Sequence, residues 1–235
     1  MTTDRGTLPP VCVLAGGLGS RLGELTRDTP KPLIPVAGRP FAEHQLELLR
    51  AHGADRVVFC VGFRGELFEQ VLGDGSRFDL DLRYCFDGPE LAGTGGAVRG
   101  ALPLLGESFL VLYGDTFLRI DYRAVADAFV TAARPGLMTV LRDREGVLPC
   151  NARVEGDRVA AYDKETPPEG AEWIDYGLSV YRAEVFGAGS PGDLAHIQRD
   201  LAAAGALTAY EAEHRYYEIG TPEALRETEE FLLSR

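Results

Sequence analysis

The segment Leu14–Pro35 constrains this chain most: Leu-Ala-Gly-Gly-Leu-Gly-Ser-Arg-Leu, a short polar spacer, then Pro30-Lys31-Pro32. Ahead of its loop, Val11-Cys12-Val13-Leu14-Ala15 is a continuous apolar run, the pattern of a strand buried on both faces of a parallel sheet. The run stops at paired glycines. A buried strand thus feeds a loop in which Gly16, Gly17 and Gly19 carry no Cβ, so their amides can approach an oxyanion closely. Arg21 adds a planar cationic fork and Lys31 a mobile point charge. Strand, loop and two cations together predict a triphosphate cradle.

Two other phosphate loops that follow a first strand do not fit. A Walker loop ends in Gly-Lys-Ser/Thr, which is absent here. The dinucleotide fingerprint Gly-x-Gly-x-x-Gly can be traced through Gly17 and Gly19 but then meets Leu22, with the glycine one place late at Gly23.

The remaining chain alternates strands and helices. Helices are predicted over about 40–52, 65–72, 121–133 and 193–204, with another leading through about 102 and a last one from Thr221-Pro222, a good N-cap and first-turn pair. Strands are predicted at 56–61, 82–86, 109–113, 136–141 and 207–210, with a hairpin of 152–154 and 159–162 around Glu155-Gly156-Asp157. This rhythm predicts an α/β fold, a doubly wound, mostly parallel sheet with ligands at the carboxyl ends of strands where the order reverses. At 235 residues one domain is expected, about 10–145 forming a nucleotide-binding half and about 146–235 a smaller β-rich half.

Asp115 follows the most apolar strand, where a carboxylate can hold a metal that bridges phosphates or simply cap a turn. Thr94-Gly95-Gly96, just ahead of a helix, suits close packing and approach to a flat base equally. Lys164 by spacing alone is a solvated charge. His44 and His52 have no metal-ligand spacing and read as solvated or locally bonded.

The formal charge of −12, from 36 acidic and 24 basic side chains, argues against a non-specific nucleic-acid surface and leaves phosphates to local cations. Cys12, Cys60, Cys85 and Cys150 form no Cys-x-x-Cys pair and are expected as buried thiols of a reducing cytoplasm. No signal-peptide core and no run near ~20 apolar residues is present, so no membrane association is expected.

Gly16-Gly17-Leu18-Gly19-Ser20-Arg21-Leu22 followed by Pro30-Lys31-Pro32 resembles the signature of the sugar-1-phosphate nucleotidyltransferases. The resemblance runs from about Pro10 to Phe231. Gly114-Asp115-Thr116 and Asp175-Tyr176-Gly177 look most like the heptose or mannose 1-phosphate guanylyltransferase branch, with thymidylyl, uridylyl and cytidylyl transfer left open. It implies a nucleoside triphosphate and a sugar 1-phosphate as partners, a possible homodimer, and Mg2+ held by Asp115 and Glu218, where the family usually has two Asp. By the same resemblance Arg21, Lys31 and Asp115 are catalytic. Leu14, Ala15, Gly16, Gly17, Gly19, Ser20, Thr94, Gly95 and Gly96 would bind the nucleotide, and Lys164, Glu165, Asp175 and Gly177 the sugar phosphate. Asp163 stands where the family has Glu. Asp175 stands where it has Asn, which suits hydroxyls better than an acetamide carbonyl. A non-catalytic sensor subunit, or transfer to a phosphorylated cofactor or alcohol, are the competing readings.

Overall fold

Apolar, β-branched runs form nine strands of one sheet: β1 (Val11–Leu14), β2 (Arg56–Val61), β3 (Asp81–Phe86), β4 (Ser108–Tyr113), β5 (Gly136–Arg142), β6 (Ala152–Glu155), β7 (Arg158–Tyr162), β8 (Trp173–Arg182) and β9 (Leu207–Glu211). Their spatial order is β3-β2-β1-β4-β8-β5-β9-β7-β6. The computed structural model describes residues 7–17, 19–88, 92–144, 146, 149–187, 189–190 and 192–235.

The helices are α1 (Phe41–Ala51), α2 (Glu66–Leu72), α3 (Gly93–Leu105), α4 (Tyr122–Ala132), α5 (Leu194–Ala203) and α6 (Pro222–Leu233). Alternation along β1 divides the core: Val11 and Val13 pack with Ala42, Leu46, Phe68 and Val125 of α1, α2 and α4. Cys12 points the other way, into a cluster with Val98, Ala101 and Ile197 of α3 and α5. Helices therefore cover both faces, as the sequence predicts.

Pairing is parallel for β1 with β2 and β4, for β2 with β3 and for β5 with β9. β8 runs antiparallel between β4 and β5, joining the two halves into one sheet. The predicted hairpin is β6–β7, with Gly156 at φ 61° in its turn. It pairs onto β9, so the β-rich part extends the main sheet rather than forming a layer of its own.

Element ends differ by a few residues. α3 runs through Pro103 to Leu105, because a proline in the last turn forfeits only one intrahelical bond. Asp121, Asp193 and Thr221 accept backbone N–H groups as side-chain N-caps. All four cysteines are free thiols; Cys12 and Cys60 are buried with their sulfurs 3.4 Å apart, whereas Cys85 and Cys150, expected to be buried, are only half-buried. His44 is buried and locally bonded, its Nε2 lying 2.8 Å from the Val36 carbonyl. Among the described residues no helix is long and apolar enough to cross a membrane.

The strand order reverses at β1 and β4. Leu14 and Tyr113 are register partners, so the glycine loop and Gly114-Asp115 leave the sheet side by side. The Gly114 N–H donates to the Leu14 carbonyl at 3.0 Å. A Cβ on Gly114 would lie 2.9 Å from that oxygen and 3.1 Å from Pro32 Cγ, so this crossing is closed to larger residues. Gly114→Ala should therefore lower stability by about 2 kcal/mol, read as a drop in the urea midpoint.

Candidate active site

The loop after β1 is tied down at its ends and open in the middle. Ala15 donates its N–H to the Cys60 carbonyl at 2.8 Å, whereas the N–H groups of Gly16 and Gly17 meet no described acceptor. Gly19 sits at φ 64°, and a Cβ there would come within 2.8 Å of Thr26 Cγ2. Thr26 closes the loop by donating its hydroxyl to the Gly19 carbonyl at 2.9 Å. A 3-10 segment, Ser20–Thr26, then presents Arg21 to solvent while Leu22 is buried beneath it. Leu18 and the Ser20 side chain lie outside the described residues.

Lys31 is bracketed by buried Pro30 and Pro32, which hold its backbone while its side chain reaches across to β4. Its Nζ donates to Asp115 Oδ2 at 2.9 Å, with the two side chains only 13% and 28% exposed. A two-residue ribbon sets Tyr217 against Phe117 and Glu218 against Thr116. Ile219 donates its N–H to the Asp115 carbonyl at 3.0 Å, and the buried Thr228 donates its hydroxyl to the Glu218 carbonyl at 2.6 Å. A Cβ on Gly220 would stand 3.2 Å from Glu218 Oε2 and 3.6 Å from Arg21 Nη2, which places those two side chains on one spot. Arg21, Lys31, Asp115 and Glu218 thus converge from separate segments.

Burial, and then the charge of Asp115, push the Glu218 carboxyl above its ordinary range, with Arg21 and Lys31 offsetting only part of this. Among the described residues no group of three or more His, Cys, Asp and Glu side chains could hold a metal. Two facing carboxylates instead fit a hard cation that takes its other ligands from phosphates and water.

A cavity of about 270 Å³ adjoins this cluster, and its walls include Leu14, Ala15, Gly16, Gly17, Lys31 and Asp115. Asp87, Thr94 and Cys60 also line it. Gly95 and Gly96 both donate their N–H groups to the Gly192 carbonyl, at 2.8 and 3.1 Å. The Thr94 hydroxyl donates to Asp193 Oδ1 at 3.2 Å and accepts the Leu194 N–H at 2.8 Å. That turn ties α3 to the start of α5, leaving Thr94, but not the two amides, turned to the cavity.

The second cluster surrounds Asp175 on β8. Its backbone N–H donates to Asn151 Oδ1 at 2.9 Å, its Oδ1 accepts the Gly177 N–H at 3.0 Å, and Gln198 Nε2 lies 3.5 Å from Oδ2. Gly177, at φ 100°, allows this bend. Burial pushes the Asp175 carboxyl up, opposed by the Gly177 bond, the charge of Lys164 and Tyr162. Lys164 is exposed on a turn made by Asp163, whose Oδ1 accepts the N–H groups of Glu165 at 2.9 Å and Thr166 at 2.8 Å. Glu165 contributes that amide and points its exposed side chain to water.

Three residues of these clusters escaped the sequence reading: Asp87, Tyr162 and Gln198. Gln198 had a signal, a glutamine on the apolar stripe of Leu194 and Ile197, and it is 1% exposed. Asp87 had none.

A glycine loop at a switch point, a cation pair and two converging carboxylates lie together in this α/β protein, an arrangement suited to phosphates. Residues 11–147 match the Nucleotidyl transferase family model, and the chain belongs to that family. It is 33% identical over 228 residues to the N-acetylmuramate alpha-1-phosphate uridylyltransferase of Neisseria meningitidis, spanning 92% of this chain and 95% of that one. It is 29% identical over 218 residues to the mannose-1-phosphate guanylyltransferase of Mycobacterium tuberculosis, spanning 90% of this chain and 61% of that longer protein. The crystal structure of HddC from Yersinia pseudotuberculosis shares the fold with a TM-score of 0.81 at 21% identity, over 96% of this chain and 100% of that one.

A carboxyl whose range is raised by folding adds stability only while protonated, and loses that contribution as pH rises through its folded value. Glu218→Gln mimics the protonated form. At pH 7 it should stabilise the unliganded protein, seen as a urea midpoint above that of the wild type, with the difference vanishing at acid pH.

Proposed function

We propose that this chain transfers a nucleotidyl group from a nucleoside triphosphate to a sugar 1-phosphate, releasing pyrophosphate. GTP is the proposed donor, and mannose 1-phosphate or D-glycero-D-manno-heptose 1-phosphate, which share the manno ring, the proposed acceptor. The observation that carries the reading is the Lys31–Asp115 contact beside Arg21 and Glu218, at the open amides of the glycine loop.

The acceptor is already an ionised phosphate, so the reaction needs no strong base. Catalysis is positioning and charge neutralisation. The amides of Gly16 and Gly17, which meet no acceptor among the described residues, and the fork of Arg21 suit the β and γ phosphates, which leave as pyrophosphate. Lys31 can swing from Asp115 Oδ2 to the α-phosphate by side-chain rotation and steady the charge that builds there as the sugar phosphate oxygen attacks in line. Asp115 and Glu218 would hold Mg2+, which when bound supplies Lewis-acid neutralisation of the phosphate oxygens. Lys164 meets the acceptor phosphate.

Support for the acceptor comes from Asp175. A carboxylate takes hydrogen bonds from hydroxyls and repels an acetamide carbonyl, which favours an unmodified sugar over the N-acetylated acceptor named for the Neisseria relative. The likeness to a mannose-1-phosphate guanylyltransferase agrees with this.

Pyrophosphate release measured across the common nucleoside triphosphates, each with mannose, heptose, glucose and N-acetylated sugar 1-phosphates, should be greatest for GTP with a manno acceptor. Turnover restricted to UTP with an N-acetylated sugar would overturn the substrate assignment, and silence across the grid the transferase itself. Asp115→Asn should lower kcat by about 100-fold or more. Asp175→Asn should raise KM for the sugar phosphate about tenfold and leave KM for GTP in place.

A further inference from the structure

Gln45 stands on the buried stripe of α1, among Phe41, Ala42, Leu46 and Leu49, and is 2% exposed. An amide in such a place is costly unless it is bonded. Its Nε2 donates to the Thr116 carbonyl at 2.6 Å and to the Tyr113 carbonyl at 3.1 Å. Both neighbours are carbonyl oxygens, so the NH2 end must face them. The buried Oε1 has no donor among the described residues. A methionine would fill the same space without an orphaned acceptor, so packing does not account for a glutamine here, whereas the two N–H bonds do.

The two carbonyls flank Gly114-Asp115, the turn by which β4 delivers its carboxylate. Other bonds reach this turn from its sides. Gly114 donates its N–H to the Leu14 carbonyl and Ile219 its N–H to the Asp115 carbonyl, both at 3.0 Å, and the Thr116 hydroxyl donates to the Tyr113 carbonyl at 3.1 Å. Gln45 spans the turn from α1, tying the carbonyl before it to the carbonyl after it. Thr116 is also the register partner of Glu218 in the two-residue ribbon. One side chain therefore braces the backbone that carries Asp115 and the strand against which Glu218 is set. A small, hard divalent ion demands closely defined oxygen positions, so the separation of two carboxylates that share it depends on that backbone.

We infer that Gln45 is a positioning residue for the cation site, holding Asp115 and Glu218 at the separation from which both reach one divalent ion. The cation's place between these carboxylates rests on the transferase reading above; the hold on the turn does not.

Gln45→Met keeps an unbranched side chain of similar size and removes both N–H groups. Leu49→Ala, one turn further along the same stripe, loosens the core without touching the Asp115 turn and is the control. Both should lower the urea midpoint. Amide hydrogen exchange reads the turn in the free protein. In Gln45→Met the Gly114 and Ile219 N–H groups should exchange about tenfold faster relative to the amides of β1, and in Leu49→Ala that ratio should keep its wild-type value. Binding of Mn2+ together with inorganic pyrophosphate, followed by the relaxation of water protons, should weaken about tenfold in Gln45→Met and by less than about twofold in Leu49→Ala. In turnover, the Mg2+ concentration for half-maximal pyrophosphate release should rise about tenfold in Gln45→Met, with KM for the sugar phosphate within about twofold of wild type.

A wild-type exchange ratio in Gln45→Met, an unchanged Mn2+ affinity, or an equal loss of that affinity in Leu49→Ala would overturn the assignment. Absence of turnover in wild type and variants alike, with the exchange and Mn2+ results as expected, counts against the transferase alone and supports Gln45 in this role.

Discussion

The ion pair between Lys31 and Asp115 joins the two segments that the sheet delivers to its switch point. Lys31 is fixed by the buried prolines on either side, and Pro32 reaches β4 only because Gly114 has no Cβ to block it. In the unliganded protein these two largely covered charges, 2.9 Å apart, hold each other and set the distance between the glycine loop and the β4 tip. Glu218 is then added from the far end of the chain by a ribbon only two residues long, pinned by the Thr228 hydroxyl and the Ile219 amide.

Three carboxyls share one condition around these clusters. Asp87, Asp175 and Glu218 are each pushed up chiefly by burial, and the donors or cations near them do not make up the difference. A fold under no other demand would replace them with neutral side chains. Their presence in these clusters suits charges and donors that a ligand would bring, at some cost to stability in its absence. Tyr162 and Gln198 serve Asp175 in the same way, since a buried carboxylate needs neighbours that orient it without neutralising it.

How much of this could be read from the sequence depended on whether the signal was local. The β1 run, the Thr221-Pro222 start of α6 and the hairpin turn at Gly156-Asp157 are dictated by neighbours in the chain, and all three were legible. The direction of β8 was not, because a strand of Val, Leu and Tyr suits either orientation and its sense is chosen by what it lies between. The turn at Thr94-Gly95-Gly96 was ambiguous for a similar reason. Its composition fits packing or base contact, and only the position of Gly192 in space commits its two amides. Asp87 was invisible, since a carboxylate after a strand looks like a turn residue until the cavity wall at Gly16 is folded against it.

The charge balance of the cavity region follows from the same residues and bears on how a nucleotide enters. Arg21 and Lys31 supply the cations, while Asp87, Asp115 and Glu218 supply carboxylates, within a chain of formal charge −12. A bare polyphosphate meets no net attraction there, and the open amides of Gly16 and Gly17 contribute partial charges only. The field therefore favours a nucleotide whose phosphates are already partly neutralised by a divalent cation, as the proposed reaction requires. Asp115 and Glu218 then act as attraction for the incoming complex instead of repulsion against it. On this reading the excess of acid at the site is a filter on the form in which the nucleotide arrives.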